Sequence, residues 1–301
     1  MYAGRFGYCQ CNSVAAGIFY CRLSLPRKMR PSRTFFRRSE RRQWQSQKRQ
    51  FSFTHLAPLK CGQDFIMTVD KSDQRVRDMF GEIAPKYDRM NHLLSMNVDH
   101  YWRWKTVRRL DPNRNDPILD CCSGTGDLAF AFEKKTKFSV PVIAADFCYE
   151  MLHVGEQKRR KRAGSNIQFV EADTQQLPFQ SDHFQIVSAA FGLRNVADTD
   201  QGLREMARVC KPGGQVAILE FSMPRRQPIK GMYGWYFKNI LPRIGQALAK
   251  NDASAYDYLP NSVGEFPLYE QLTERMLQAG LSEARFYPLT FGIATLYVGI
   301  K

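Results

Sequence analysis

Short apolar runs alternate with amphipathic stretches between residues 117 and 221. Apolar positions at helical spacing fill the stretches between the runs, so the alternation predicts a parallel sheet covered by helices on both faces. The predicted fold class is therefore α/β. The predicted strands are 118–120, 141–146, 167–173, 184–191 and 215–221.

Two more apolar runs, at residues 284–291 and 293–300, close the chain. Only Gly292 lies between them, which leaves no room for the crossover helix that a parallel pair needs. We therefore expect an antiparallel hairpin. It extends the sheet to a seven-stranded, Rossmann-like arrangement with an antiparallel final strand, which we place at the sheet edge.

Two regions of the body lie outside this alternation. Residues 67–112 contain aromatic and aliphatic residues at helical spacing and predict an N-terminal helical cap. Residues 223–263 mix basic residues with Met, Tyr, Trp and Phe, and we treat them as an aromatic insertion. Both regions belong to a single predicted domain, residues 67–301.

The 301-residue chain carries a formal net charge of +15, and most of it lies at one end. Residues 1–66 hold 13 Lys and Arg against two acids, whereas residues 67–301 hold 31 bases and 27 acids. The near-neutral body lacks the basic surface of a nucleic-acid-binding domain, so we exclude nucleic acid as its partner. The eight cysteines lack zinc-site spacing, so no metal is expected.

Residues 1–66 show no sustained apolar periodicity and are predicted to be disordered. Three interpretations stay open for this extension. It is a mitochondrial transit peptide, a basic arm for anionic lipid or RNA, or an upstream reading of a gene whose true start is Met67. Adjacent Cys121 and Cys122 do not suit an ordinary disulfide, which favours a reducing compartment.

A glycine-rich turn follows the first predicted strand and opens a helix. Gly124 and Gly126 allow a ligand to approach the backbone there, and Asp146, 20 residues further on, ends the next strand where a carboxylate can accept two ribose hydroxyls. This motif alone does not separate a nicotinamide dinucleotide from S-adenosylmethionine, or either from a turn without a ligand. Asp120, at the tip of the first strand, would repel a pyrophosphate and attract the ammonium group of a methionine, unless it only caps the loop. Asp173 would add an acidic rim for an adenine amine.

Several segments resemble the UbiE/Coq5 quinone C-methyltransferases, from about Met79 to Lys301. They are LDCCSGTGDLA, AADFCYEMLHVGEQK, EADTQQLPF, FGLRNV, RVCKPGGQVAILEFS, YFKNILPRIG and LTFGIATLYVGIK. The resemblance implies a class I S-adenosylmethionine-dependent methyltransferase fold and S-adenosyl-L-methionine as methyl donor. It further implies C-methylation of a polyprenyl quinol in menaquinone or ubiquinone biosynthesis. The acceptor would be demethylmenaquinol or 2-methoxy-6-polyprenyl-1,4-benzoquinol.

The expected cofactor-binding residues combine this resemblance with the strand-end residues above. They are Asp120, Gly124, Thr125, Gly126, Asp146, Asp173 and Thr174. Many members of the family have Asn-Ala where this chain has Asp173-Thr174, so a backbone contact is expected there while the side-chain contact differs. Ala190 replaces a serine contact of some members, and Cys122 points to the menaquinone branch.

The expected catalytic residues follow from the chemistry of the acceptor. A quinol that loses a phenolic proton places negative charge on its ortho carbon, which can then attack the sulfonium methyl group. Arg194 and Asn195 of FGLRN are assigned to this step, with Arg194 stabilising the phenolate or positioning water because it stays protonated. Tyr87 either closes the site or is an aromatic core residue. His100 is a proton acceptor or, more simply, structural.

The aromatic insertion leaves its partner open. It is a buried lid, a surface through which an isoprenoid tail reaches the site from the bilayer, or the interface of a homodimer or a quinone-biosynthesis complex. We expect a cytoplasmic protein, peripheral to the inner membrane, or a matrix protein if residues 1–66 are a transit peptide. The rival functions are a nicotinamide oxidoreductase and a methyltransferase that acts on RNA or on a different small molecule.

Overall fold

The computed structural model describes residues 73–112, 116–239 and 262–301. Within them, all seven predicted strands form one sheet. The strands are β1 (Ile118–Cys121), β2 (Val142–Asp146), β3 (Ile167–Glu171), β4 (Phe184–Ala190), β5 (Cys210–Phe221), β6 (Glu283–Leu289) and β7 (Ala294–Ile300). Their order is β3-β2-β1-β4-β5-β7-β6.

The closing hairpin is antiparallel, as predicted, but the reversed strand does not lie at the edge. β7 pairs antiparallel with both β5 and β6, so β6 is the edge strand. Side-chain burial explains this order, because β7 is mostly buried whereas no residue of β6 is. Pro288 in β6 lacks a backbone donor, and proline in a sheet is confined to positions such as an edge strand.

β5 begins earlier than the sequence pattern indicates. The preceding helix ends at Val209 and the strand starts at Cys210, so Gly213 and Gly214 lie inside the strand and not in a turn before it. The Gly213 N–H donates to the carbonyl of Lys301 at 2.9 Å, and the Lys301 N–H donates to Gly214 at 3.1 Å. The backbone of Lys301 therefore pairs with Gly213 and Gly214, a contact between distant residues that the local sequence pattern does not indicate.

Helices cover both faces of the sheet. Leu203 and Met206 pack in one hydrophobic cluster with Leu272, whereas Trp102 and Phe132 pack in the cluster on the other side. The helices are α1 (Asp73–Ile83), α2 (Tyr87–Leu94), α3 (Val98–Arg109), α4 (Asp127–Lys135), α5 (Tyr149–Arg160), α6 (Thr199–Val209), α7 (Ile229–Asn239) and α8 (Glu270–Gln278). The layered α/β arrangement is therefore confirmed.

Some predictions fall outside the described ranges. The extension 1–66, the first residues of the cap and residues 240–261 of the aromatic insertion are among them. The described part of the cap consists of α1, α2 and α3, and the described part of the insertion contains α7. Among the described helices, we find none with the length and apolar character to traverse a bilayer.

Candidate active site

Backbone turns at the carboxyl ends of β1 and β2 build a first cavity. Gly124 and Gly126 adopt positive φ angles of 56° and 85°, and Cys122 does so at 48°. The Gly124 N–H donates to Oδ2 of Asp146 at 2.8 Å, and the Cys148 N–H donates to Oδ1 at 2.9 Å. Each carboxylate oxygen keeps acceptor capacity for a ligand hydroxyl.

This first cavity, which we call the turn cavity, holds about 580 Å³ of free space. It brings together most of the predicted site residues. Those that line it are Tyr87, Gly124, Asp146, Asp173, Thr174 and Asn195. The buried Oδ1 of Asn195 has no hydrogen-bond partner among the described residues, so it offers an acceptor to a bound molecule.

Three predicted cofactor-binding residues do not line the turn cavity. The Thr125 hydroxyl donates to Asp88 of α2 at 2.5 Å and accepts from Lys158 Nζ at 3.1 Å. Asp120 is buried within β1 and accepts from the Ser188 hydroxyl at 2.8 Å, while Gly126 packs against Phe169. The contacts described for these three residues are with protein groups, and the buried Oδ2 of Asp120 has no hydrogen-bond partner among the described residues.

Burial raises the pKa values of the two strand-end carboxyl groups, Asp146 and Asp120. It raises the pKa of Asp146 to about 6, although the backbone N–H donors of Cys148 and Gly124 oppose the shift. Burial also raises the pKa of Asp120 to about 7, against the hydrogen bond from Ser188. Asp146 therefore becomes protonated at a less acidic pH than an ordinary carboxyl group, with half of it ionised at about pH 6.

A second and larger cavity lies beside the first, between the cap helices and α7. We call it the apolar cleft; it holds about 1600 Å³ of free space. Its walls are mostly aliphatic, aromatic and methionine side chains, among them Met79, Ile83, Met90, Trp102, Phe221 and Met232. Such a lining suits a large hydrophobic molecule.

The two cavities meet at shared side chains. Phe80, Tyr87 and Phe191 line both of them. Burial raises the pKa of the Tyr87 phenol, and the nearby positive charge of Arg194 opposes the shift, so the phenol is neutral at ordinary pH. Tyr87 thus lines both cavities and also packs against the small cluster of Ala84, Cys148 and Met151, so both interpretations from the sequence, closing the site or packing as a core aromatic, stay predictions.

The two FGLRN residues divide between the cavities. Arg194 lies in a short 3-10 helix, Leu193–Asn195, after β4, and its guanidinium lines the apolar cleft, whereas Asn195 lines the turn cavity. Arg194 is buried and donates to Glu220 of β5 at 2.9 Å and to the carbonyl of Phe191. Glu220 is fully buried, so the pair fixes the position of the Arg194 cation beside the apolar cleft.

The structure also places His100, which the sequence offered as a proton acceptor, and two charged residues of α3 that the sequence analysis did not single out. His100 is exposed, stacks on His92 with ring centroids 4.2 Å apart and lines neither cavity. Asp99 and Arg103, however, line the apolar cleft and were not predicted. Their spacing of four residues with Trp102 between them was the available signal for a common helix face.

The fold is that of solved methyltransferases. An S-adenosylmethionine-dependent methyltransferase from Thermotoga maritima superposes with a TM-score of 0.53 and 16% identity, covering 74% of this chain and 99% of that one. A Haemonchus contortus phosphoethanolamine N-methyltransferase, solved with S-adenosylhomocysteine, gives a TM-score of 0.50 and 14% identity, covering 66% and 52%. The fold is therefore that of the class I S-adenosylmethionine-dependent methyltransferases.

The chain belongs to the ubiE/COQ5 methyltransferase family, whose sequence model matches residues 67–301. It is 41% identical over 234 residues to the ubiquinone/menaquinone biosynthesis C-methyltransferase UbiE of Geobacter sp. (strain M21), covering 77% of this chain and 99% of the relative. It is 43% identical over 235 residues to the demethylmenaquinone methyltransferase of Chlorobaculum parvum, covering 77% and 94%. The family resemblance seen in the motifs is thereby confirmed.

Proposed function

We propose that the protein transfers a methyl group from S-adenosylmethionine to a ring carbon of a polyprenyl quinol in quinone biosynthesis. The observation that carries this proposal is that a cavity built by backbone turns and strand-end carboxyl groups adjoins a large apolar cleft, with Tyr87 and Phe191 in both linings. A polar donor and a lipid-like acceptor each need a compartment of their own, and methyl transfer needs the two compartments to touch.

The turn cavity is the proposed cofactor site. Asp146 would accept the ribose hydroxyls, and the unpartnered Oδ1 of Asn195 would accept from another polar group of the cofactor. When bound, S-adenosylmethionine supplies an electrophilic methyl group on its sulfonium. The exposed carboxylate of Asp173 also lines this cavity, and it is itself ordered by the Gln175 N–H at 2.8 Å.

The apolar cleft is the proposed acceptor site. Its charged side chains are limited, among the described residues, to Asp99, Arg103 and Arg194. Arg194 would hold the phenolate oxygen beside the methyl-accepting carbon, because a buried guanidinium stabilises developing negative charge more strongly than an exposed one. Glu220 keeps that guanidinium in place, and the neutral Tyr87 hydroxyl is available as a further donor.

The tail of the acceptor would leave the cleft toward a membrane surface. Met96 and Met232 line the cleft and are also strongly exposed, and Leu93 and Trp235 are exposed on the same two segments, α2 with the turn after it and α7. Exposed side chains of this kind support peripheral contact with a bilayer. A homodimer that covers the same side chains is the alternative.

The test of the reaction is methyl transfer by the full-length chain in detergent, with labelled S-adenosylmethionine and two reduced acceptors. A demethylmenaquinol and a 2-methoxy-6-polyprenyl-1,4-benzoquinol are compared, and the position of the new methyl carbon is read by NMR. We expect a ring C-methyl product, with demethylmenaquinol preferred because Cys122 stands at the first glycine position of the turn. Cofactor binding without transfer to either quinol would contradict the proposal.

A further inference from the structure

The charged side chains that line the apolar cleft belong to two separate arginine–carboxylate pairs. Arg194 is paired with Glu220, as described above. Arg103 of α3 is paired with Asp99 one helical turn earlier, and both residues of this second pair are buried and line the cleft. A buried ion pair is costly unless its remaining hydrogen-bonding capacity is used, so the second pair needs an explanation.

Both guanidinium groups lie against one aromatic pair. The rings of Phe191 and Phe221 are 4.5 Å apart; Arg103 lies over Phe191 at 5.6 Å and Arg194 over Phe221 at 5.4 Å. The positive charges of both arginines lower the pKa of Tyr87 against the effect of burial, and Arg194 does so more strongly than Arg103. A flat ring in the cleft beside Tyr87 is therefore within reach of two cations and not only of one.

The hydrogen bonds of the second pair leave both a donor and an acceptor. Asp99 accepts from Ser95 at 2.7 Å through Oδ1, and from His92 at 2.8 Å and Arg103 through Oδ2, which uses three of about four acceptor positions. Arg103 donates to Asp99 and lies 3.6 Å from Asp127, which leaves further N–H donors. A hydroxyl, which donates one hydrogen bond and accepts others, matches this combination.

We propose that Arg103 and Asp99 bind the second hydroxyl of the acceptor, the one para to the hydroxyl that Arg194 serves. This inference rests on the proposed function for the identity of the acceptor. Arg103 donates to the hydroxyl oxygen, and Asp99 accepts its proton in a hydrogen bond without removing it. The pair thus selects a 1,4-diol over a monophenol, and also over the oxidised quinone, whose carbonyl oxygen would face the Asp99 carboxylate without a proton between them.

The test measures binding of two ligands to the full-length protein with S-adenosylhomocysteine present, by equilibrium dialysis in detergent. One ligand is a short-tailed demethylmenaquinol, and the other is its analogue without the para hydroxyl. The proteins are wild type, Arg103→Gln, and Arg108→Gln as a matched control from the exposed face of the same helix. We expect wild type and the control to bind the demethylmenaquinol about 10- to 100-fold more tightly than the analogue without the para hydroxyl. Arg103→Gln should lose most of that preference.

Equal binding of both ligands by wild type would overturn the inference. So would a loss of affinity by the same factor for both ligands in Arg103→Gln, which is what a purely structural role requires. Arg103→Lys keeps a cation beside Asp99 and serves if the glutamine variant does not fold; it should retain a reduced preference, and an unchanged one would also count against the proposal. Turnover is measured separately, so selective diol binding without methyl transfer would refute the proposed reaction and leave this inference standing.

Discussion

The two cavities are built in different ways. The turn cavity consists mainly of backbone at positive φ, strand-end carboxylates and a short 3-10 helix from the sheet region, and the cap adds Phe80 and Tyr87. The apolar cleft consists of side chains from α1, α2, α3 and α7 laid over the strand ends. Local geometry thus prepares the site for a polar cofactor, and long-range packing shapes the site for a hydrophobic acceptor. A change in one cavity should leave binding in the other largely intact.

The largest effect is expected at Arg194 of the apolar cleft. Arg194→Met leaves Glu220 buried without its partner, which should lower the free energy of unfolding by about 3–5 kcal/mol. Methyl transfer should fall by about 10²–10³-fold or more. Arg194→Met combined with Glu220→Gln should recover stability in denaturant unfolding but not turnover. Recovery of turnover in the double variant would mean that Arg194 is structural only.

Asp146 should control cofactor affinity and its pH dependence. The ionised carboxylate accepts hydrogen bonds, and its pKa is raised to about 6, so affinity for S-adenosylhomocysteine should rise with pH up to about 6 and then level off. Because only one proton is involved, the affinity for S-adenosylhomocysteine cannot change by more than about tenfold per pH unit. Asp146→Asn should weaken binding by about 10- to 100-fold and abolish the slope, as measured by titration calorimetry.

A matched control separates this effect from that of the neighbouring carboxyl. Asp120 also has a raised pKa but does not line the turn cavity, so Asp120→Asn should keep the pH dependence of cofactor binding. If the dependence disappears in Asp120→Asn and persists in Asp146→Asn, the two roles are reversed and Asp120 is the ligand.

Tyr87 should affect the reaction more than either binding step. Tyr87→Phe keeps the ring that lines both cavities and removes only the hydroxyl, so turnover should fall by about tenfold with little change in cofactor affinity. Tyr149→Phe is the control, because Tyr149 is exposed on α5 and lines neither cavity. Equal turnover of the two variants would remove Tyr87 from the catalytic assignment.

The smallest change concerns the exposed side of α7. Trp235 is 60% exposed, so Trp235→Ser should change the free energy of unfolding by no more than about 0.5 kcal/mol. It should nevertheless lower the fraction of protein that sediments with vesicles. Phe138→Ser is the control, since Phe138 is exposed before β2, at the opposite end of the strands from the cavities. An equal loss in both variants would indicate that no defined face contacts the membrane.

The contrast between the cavities also explains what the sequence could predict. Gly124 and Asp146 belong to local patterns, a glycine turn after a strand and an acid at the next strand end, and both line the turn cavity. Asp120 and Thr125 belong to the same patterns but do not line that cavity; Asp120 contacts Ser188 of the neighbouring strand and Thr125 contacts Asp88 of α2, which a local pattern does not indicate.

The acceptor side was less accessible to sequence analysis. Arg103 pairs with Asp99 within one helix, but its place in the cleft depends on how α3 packs over Phe191 and Phe221. The order of β6 and β7 depended in the same way on pairing between distant segments. Periodicity identifies which elements form, whereas the contacts between elements far apart in the chain need the folded structure.

The most direct test is a crystal structure of the full-length protein with S-adenosylhomocysteine and a short-tailed demethylmenaquinol. The account predicts the cofactor product in the turn cavity against Asp146, and the quinol ring in the apolar cleft beside Tyr87, with one oxygen at Arg194 and the other at Arg103. A quinol ring bound outside the apolar cleft, or a cofactor bound away from Asp146, would contradict the central claim that the two cavities meet to carry out methyl transfer.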